Sequence, residues 1–139
     1  MDYVVDANVL ISMLISGRAS YYTLAKSYRL YTPDYALLEL ETYRSVVLVK
    51  SSLQTTEVRS FMRRLFPWLR IIPSLAIDPD NLERAKRLTH RIDPKDEAYV
   101  ALALQTGATL LSRDKALVNG VRKNGFRQIV MFDHFLREV

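Results

Sequence analysis

Two rhythms of apolar and polar positions run along this chain. One is short continuous apolar runs, and the other is longer stretches at helical spacing. YVVD (3–6) is β-branched, continuous and ended by a polar residue, which predicts a short buried strand. NVLISMLIS (8–16) continues as a helix stopped near Gly17, and YYTLAKSY (21–28) is a second helical piece. LYT (30–32) predicts a strand before Pro33. From Asp34 to about Val49 helix formers predominate, with Ala36, Leu37, Leu40 and Tyr43 at helical spacing. From Thr55 or Thr56 to Phe66, Val58, Phe61, Met62, Leu65 and Phe66 alternate with Arg59, Arg63 and Arg64, an amphipathic helix with a basic face. LRII (69–72) predicts a third strand, and Asp80 to Thr89 a helix with Leu82, Ala85 and Leu88 inward. Asp93 to Gln105 is the most regular helical pattern, closed by Gly107. ATLLS (108–112) and QIVMF (128–132) are the last strands, with a short helix inside RDKALVNGVRKNG between them and a helical turn in HFLREV.

Strands therefore alternate with helices, and no strand pair carries a hairpin signal. That argues an α/β sandwich built on a parallel sheet. No repeat, low-complexity tract or linker divides the chain, so residues 1–139 are expected to form one domain. In such sheets the ligand crevice lies beyond the carboxyl ends of the strands. Asp6 ends the first predicted strand, and Asp114 follows the fourth by two residues.

The composition narrows the chemistry. An apolar fraction of 49% and a charged fraction of 25% are globular values. The absence of cysteine removes disulfides, thiolate metal sites and thiol nucleophiles, and it fits a reducing, cytoplasmic setting. No apolar run approaches the roughly 20 residues of a membrane span, and the N-terminus lacks the basic character of a signal peptide. Twenty basic residues against 15 acids give a net charge of +5. Spread along the chain, they are either ordinary solubilising charge or the footprint of a polyanion, nucleic acid first.

Four acids stand at the edges of apolar segments. Asp6 lies between a strand and a helix. Glu39 intrudes among Leu37, Leu38 and Leu40, while Asp96 opens the apolar helix of DPKDEAYVALAL and Asp114 sits in SRDK. Each has an ordinary structural account. Asp6 with Asn8 can mark a helix start; Glu39 can turn to solvent and pair with Arg44 or Lys26; Asp114 can begin a helix. In DPKD, Asp93 can be the N-cap, Pro94 the first helical residue and Asp96 an acid facing the helix dipole. Together, four such acids repel strongly unless cations join them. Oxygen-only ligation suits Mg²⁺ or Mn²⁺ and not zinc, and a carboxylate cage of that kind serves phosphodiester chemistry. His90 and His134 share no ligand spacing and read as surface residues. A dinucleotide site is disfavoured because DANVLIS has no glycine motif, and no Walker lysine loop is present. An aspartyl-phosphate phosphatase would need an acid where this chain has Asn8.

VVDANVLIS, TPDYALLELE, DPKDEAYVALAL and LLSRDKAL, in this order and spacing, resemble the PIN domain over essentially the whole chain. The resemblance implies a three-layer sandwich with a five-stranded parallel sheet flanked by helices. It implies a metal-dependent ribonuclease, often the VapC-type toxin of a toxin–antitoxin pair, with an antitoxin as partner and a homodimeric state. The family's four acids map onto Asp6, Glu39, Asp96 and Asp114, and its small polar positions onto Asn8 and Ser112. Asp93 matches a further acid of that segment, which softens its reading as a cap alone, and Glu41 rivals Glu39 as the second acid. On this reading Mg²⁺ or Mn²⁺ is held by Asp6, Asp96 and Asp114, with Glu39 on metal or water. Asn8 and Ser112 orient carboxylates, waters or phosphate.

Setting the four ligands aside leaves 11 acids against 20 bases, so the remaining surface is more basic than the net charge suggests. Arg59, Arg63, Arg64, Arg113, Lys115, Arg122 and Lys123 are candidates for RNA backbone contacts. For each, a solvated helix face is the equal alternative. Tyr21, Tyr22 and Trp68 are candidates for base stacking, against core or dimer packing.

Overall fold

The structure, a computed structural model, describes residues 1–51 and 53–139. Chain order is β1 (Asp2–Val5), α1 (Ala7–Ser16), α2 (Ser20–Ser27), β2 (Arg29–Pro33), α3 (Tyr35–Thr42), α4 (Arg44–Lys50), α5 (Thr55–Leu65) and β3 (Leu69–Ile72). It continues through α6 (Pro79–Leu88), α7 (Glu97–Thr106), β4 (Thr109–Ser112), α8 (Lys115–Lys123), β5 (Ile129–Met131) and α9 (Phe132–Glu138). Single 3₁₀ turns occupy Phe66–Trp68, Ser74–Ala76 and Pro94–Asp96.

The five strands form one sheet in the order β3-β2-β1-β4-β5, every neighbouring pair parallel. Val4 stands opposite Tyr31 on one side and Leu110 on the other. From β1 the chain first winds outward through β2 and β3, then returns to lay β4 on the other side of β1. Right-handed crossovers place the helices of these two excursions on opposite faces. Accordingly α1 packs with α3, α4 and α5, whereas α6 packs on α7, which lies against β1, β2 and β4. The reversal between β1 and β4 is the position where open α/β sheets hold ligands.

Continuous apolar strands are what a sheet covered on both faces requires. Val4, Val5, Leu30, Leu110, Leu111 and Ile129 are fully buried in it. Each such side chain contributes about 1.5–3 kcal/mol relative to exposure. Helix α7 has an almost unbroken buried stretch, Tyr99 to Ala103, because the sheet lies beneath it and α6 above. Gly17 and Gly107 end α1 and α7 in the left-handed region, with φ of 59° and 72°. At Gly17 a Cβ would also strike the Leu53 side chain.

Several details depart from the sequence reading. The helix expected from Asp34 to Val49 breaks at Tyr43, whose φ and ψ of −97° and 13° leave the helical ladder. No glycine or proline marks that break. Asp6, not Asn8, caps α1, since its Oδ1 accepts the Val9 N–H at 2.9 Å while Asn8 is an exposed residue inside the helix. Helix α6 starts at Pro79 rather than Asp80, with Asp78 as its cap. The turn at Ser74–Ala76 was not expected. Phe132 begins α9 instead of ending β5.

Candidate active site

Asp6 leaves β1 at the switch point and begins α1. It is 4% exposed. Both of its carboxylate oxygens are engaged: Oδ1 by Val9 N–H, and Oδ2 by the Ser112 hydroxyl, which donates at 2.6 Å. Ser112 ends β4, is itself fully buried, and accepts the Asp114 N–H at 3.0 Å. Asp114 in turn caps α8, its Oδ1 accepting from Leu117 N–H at 3.1 Å. A hydrogen-bonded chain thus ties the ends of β1 and β4 together through Asp114, Ser112 and Asp6. Two bonds leave a carboxylate with further acceptor sites, because it offers about four lone-pair positions.

The other two acids arrive from opposite faces. Asp96 closes the 3₁₀ turn capped by Asp93, whose Oδ1 accepts the Lys95 N–H at 3.0 Å. Asp93 caps and Pro94 opens the segment as the DPKD pattern predicts, but what they open is a separate 3₁₀ turn, and α7 begins only at Glu97 rather than at Pro94. Asp96 Oδ2 is buried and has no hydrogen-bond partner. Glu39, on α3, is half-buried, and its Oε1 accepts a hydrogen bond from the Tyr99 hydroxyl at 2.5 Å. Glu41 lies exposed and paired with Arg44 at 3.1 Å. Arg44 is therefore not the partner of Glu39, and Lys26 lies over the Trp68 ring, 5.5 Å from its centre.

The electrostatics identify which acids act on one another. Burial pushes the Asp6 carboxyl up to about 6; Ser112 and Val9 oppose the rise, and the charges of Glu39 and Asp114 add to it. Burial likewise raises Asp96 to about 7, reinforced by Asp93, Asp114, Asp6 and Glu39. The four acids singled out in the sequence thus bear on one another at the carboxyl edge of the sheet, and Asp93 joins them. Glu41 does not figure among these influences. Tyr99 is raised as well, first by burial and then by its bond to Glu39, so its phenol stays protonated and donates.

Among the described residues, ion pairs join Asp2 to Arg29 and Glu41 to Arg44, with His134 near Glu138; none involves these acids. Nor are three or more His, Cys, Asp or Glu side chains arranged to hold a metal ion where they stand. The donor set nevertheless fits a hard divalent cation. It is oxygen only, it contains an orphaned buried carboxylate oxygen, and its acids raise one another's proton affinity while, among the described residues, no ion pair offsets them.

The basic candidates divide. Arg113 and Lys115 flank Asp114 at the acid edge, exposed. Arg59 lies mid-way along α5 beside an apolar groove of about 420 Å³ lined by Leu14, Leu40, Val47, Val58 and Met62. Arg63 and Arg64 fall in the last turn of α5, which leads into the start of β3 and so points away from the acids. Arg64 lies over the Tyr22 ring. Arg122 donates to the Ile129 carbonyl at the start of β5, again at the far edge. Tyr21 is buried and Tyr22 packs on Phe61 at 4.8 Å, so both are committed to packing, while Trp68 is partly exposed before β3. His90 and His134 are exposed, as expected. The residue that the sequence reading passed over is Tyr99. Its signal was a hydroxyl-bearing ring three positions after Asp96, on the same helix face.

Among the described residues, no helix is long and apolar enough to cross a membrane. No curated protein matches the chain significantly. Solved structures do. PAE2754 from Pyrobaculum aerophilum is similar with a TM-score of 0.70 at 15% identity, covering 99% of this chain and 94% of that one. VapBC2 from Rickettsia felis, crystallised bound to a DNA fragment from their promoter, gives 0.63 at 18% identity over 94% and 97%. FitAcB from Neisseria gonorrhoeae gives 0.57 at 17% over 86% and 93%. At such identities the likeness is one of fold. The family model for the PIN domain matches residues 4–132, a span that holds every acid of the site, and the chain belongs to the PIN domain family.

Proposed function

We propose that the protein is a metal-dependent endoribonuclease that hydrolyses phosphodiester bonds of single-stranded RNA, acting as the toxin of a toxin–antitoxin pair. The observation that carries this reading is Asp96 Oδ2, buried without a partner among carboxylates that raise one another's proton affinity. Leaving an ionised group so placed costs several kcal/mol, which a cation would offset. Asp6, Asp96 and Asp114 would hold Mg²⁺ or Mn²⁺, with Glu39 contacting the ion or a water. When bound, the ion supplies Lewis acidity and charge neutralisation to the hydrolysis.

The chain's own residues do the rest. Ser112 fixes Asp6 and the Asp114 backbone in one hydrogen-bonded unit. Asp93 holds the turn that presents Asp96. Asn8, exposed at the start of α1, orients substrate, and Arg113 and Lys115 bind backbone phosphates. Arg59, mid-way along α5, extends that track, whereas Arg63 at the far end of α5 stands outside it. PIN domains are generally nucleases, which supports hydrolysis. The VapBC and FitAB neighbours, toxin–antitoxin PIN proteins, support a protein antitoxin as partner. By the same family analogy the chain acts as one domain, in a cytoplasmic homodimer.

The test is cleavage of a panel of single-stranded RNAs with Mg²⁺, Mn²⁺ or EDTA, beside Asp6→Asn and Asp96→Asn. Metal-dependent cutting by the wild type alone is expected. A protein that binds RNA yet cuts no better than its variants is a binding module, and the catalytic reading fails. The toxin assignment is checked separately, by whether a neighbouring reading frame encodes a small protein that binds and silences this one.

A further inference from the structure

Glu39 differs from the other three acids in how it is held. Asp6 and Asp114 are short side chains fixed by caps, and Asp96 sits in a turn bounded by Pro94. Glu39 has three rotatable bonds and stands on α3 next to Leu37 and Leu38, which face solvent. Nothing in its own helix restrains it. The restraint comes from the opposite layer, where the Tyr99 hydroxyl donates to Oε1 at 2.5 Å across 60 positions of sequence. Tyr99 is 1% exposed, and its ring meets Tyr35 edge-on at 6.3 Å, so the hydroxyl is delivered from a fixed platform. A buried hydroxyl must find an acceptor, and Glu39 is the one it has. Tyr99 also follows Asp96 by three residues, on the same face of the chain as it enters α7. One segment therefore brings an acid of its own and the anchor for an acid from another element.

We infer that Tyr99 is a positioning residue: its phenol holds the Glu39 carboxylate at the acid cluster, so that the fourth acid meets a divalent cation already ordered. This rests on the metal-binding part of the function proposed above. It makes no use of Tyr99 as a proton donor or acceptor in the reaction.

The experiment uses the full chain as wild type, Tyr99→Phe, Glu39→Ala and the double variant. Mn²⁺ binding is followed by electron paramagnetic resonance of the free ion, and RNA cleavage is measured against Mn²⁺ concentration. Thermal unfolding of each metal-free variant establishes that it is folded. Phe keeps the ring and removes one oxygen, so Tyr99→Phe should weaken Mn²⁺ binding by about 3- to 10-fold, the scale of one hydrogen bond. The Mn²⁺ concentration for half-maximal cleavage should rise in step, with a smaller loss at saturating Mn²⁺. In the Glu39→Ala background the same substitution should do nothing further, because the two residues act through one contact. Undiminished Mn²⁺ binding in Tyr99→Phe overturns the inference, and so does a loss equal in both backgrounds, which would mark a residue that merely supports the fold. If the wild type binds Mn²⁺ but cuts no RNA, the nuclease reading falls while the coupling is still read from binding. Wild type that binds no Mn²⁺ overturns both.

Discussion

Strand β1 has an aspartate at each end, and the two are treated oppositely. Asp2, at the amino edge of the sheet, is met by Arg29 at 2.7 Å in an exposed pair, the arrangement expected of any surface carboxylate. Asp6, four residues later at the carboxyl edge, is buried, bonded to Ser112 and influenced by the charges of Glu39 and Asp114, and among the described residues it has no ion pair. The same residue type on one short strand is neutralised at one edge and left charged among like charges at the other. The chain has 20 basic residues with which to quench the second site. At the amino edge they are spent on structure, as with Arg122 on the Ile129 carbonyl, and at the carboxyl edge Arg113 and Lys115 remain in solvent. An electrostatic defect confined to one edge, where open parallel sheets carry their ligands, is what the proposed site would produce.

The sharpest way to test that contrast is to neutralise one acid at each edge. Asp96→Asn should lower RNA cleavage on the order of 10²-fold or more, given its proposed place on the metal. The metal-free protein should nevertheless melt higher, because a buried repulsion is gone. Asp2→Asn should do neither. Equal effects of the two on cleavage would erase the distinction between the edges.

Next in size is Ser112→Ala. It strips Asp6 of one partner and leaves the Asp114 N–H without its acceptor, which should cost about 1–3 kcal/mol of stability in urea unfolding. Cleavage should fall roughly 10- to 100-fold, as for other groups that orient ligands.

The pH dependence follows from the two raised carboxyls. Asp6 and Asp96 titrate near 6 and 7 in the folded chain, against about 3.9 when unfolded. The folded state therefore holds more protons in that interval, and stability falls as pH rises. Their contribution is fully present below about pH 4 and lost by about pH 7. Metal-free protein should lose melting temperature from pH 5 to 7.5, Asp96→Asn should flatten the slope, and Mg²⁺ added at pH 7.5 should restore what was lost. A slope unchanged in Asp96→Asn would remove that residue from the cluster. The smallest effect belongs to Arg29→Ala, an exposed pair contributing about 0–1 kcal/mol.

The sheet was legible because buried parallel strands are continuous apolar runs, and VVD, LYT, LRII, TLLS and QIVM stand out as such. The acids were legible because each is a charge set in an apolar segment. What escaped lies in contacts distant along the chain. The break at Tyr43 has no local breaker and arises where α3 and α4 each turn to pack on α1. Tyr99 looked like one more apolar position of α7 because only the fold brings Glu39 to its hydroxyl. The arginine clusters could not be sorted by edge until helix direction was known. Arg63 and Arg122 stand in the last turns of α5 and α8, whereas Arg113 stands between β4 and the start of α8.

Asp6 and Asp114 each cap the helix that follows them, α1 and α8. That double duty constrains how a lineage carrying this fold can lose its chemistry. Replacement by alanine at either position would remove a helix cap, at about 1 kcal/mol, along with the charge. Asparagine or serine would surrender the charge and keep the cap. Descendants that have become pure binding proteins should therefore carry Asn or Ser at positions 6 and 114, whereas position 96, whose side chain caps nothing, is free to become apolar. Inactive relatives would then be recognisable by which substitutions they tolerate, and position 96 is where their ancestry would fade first.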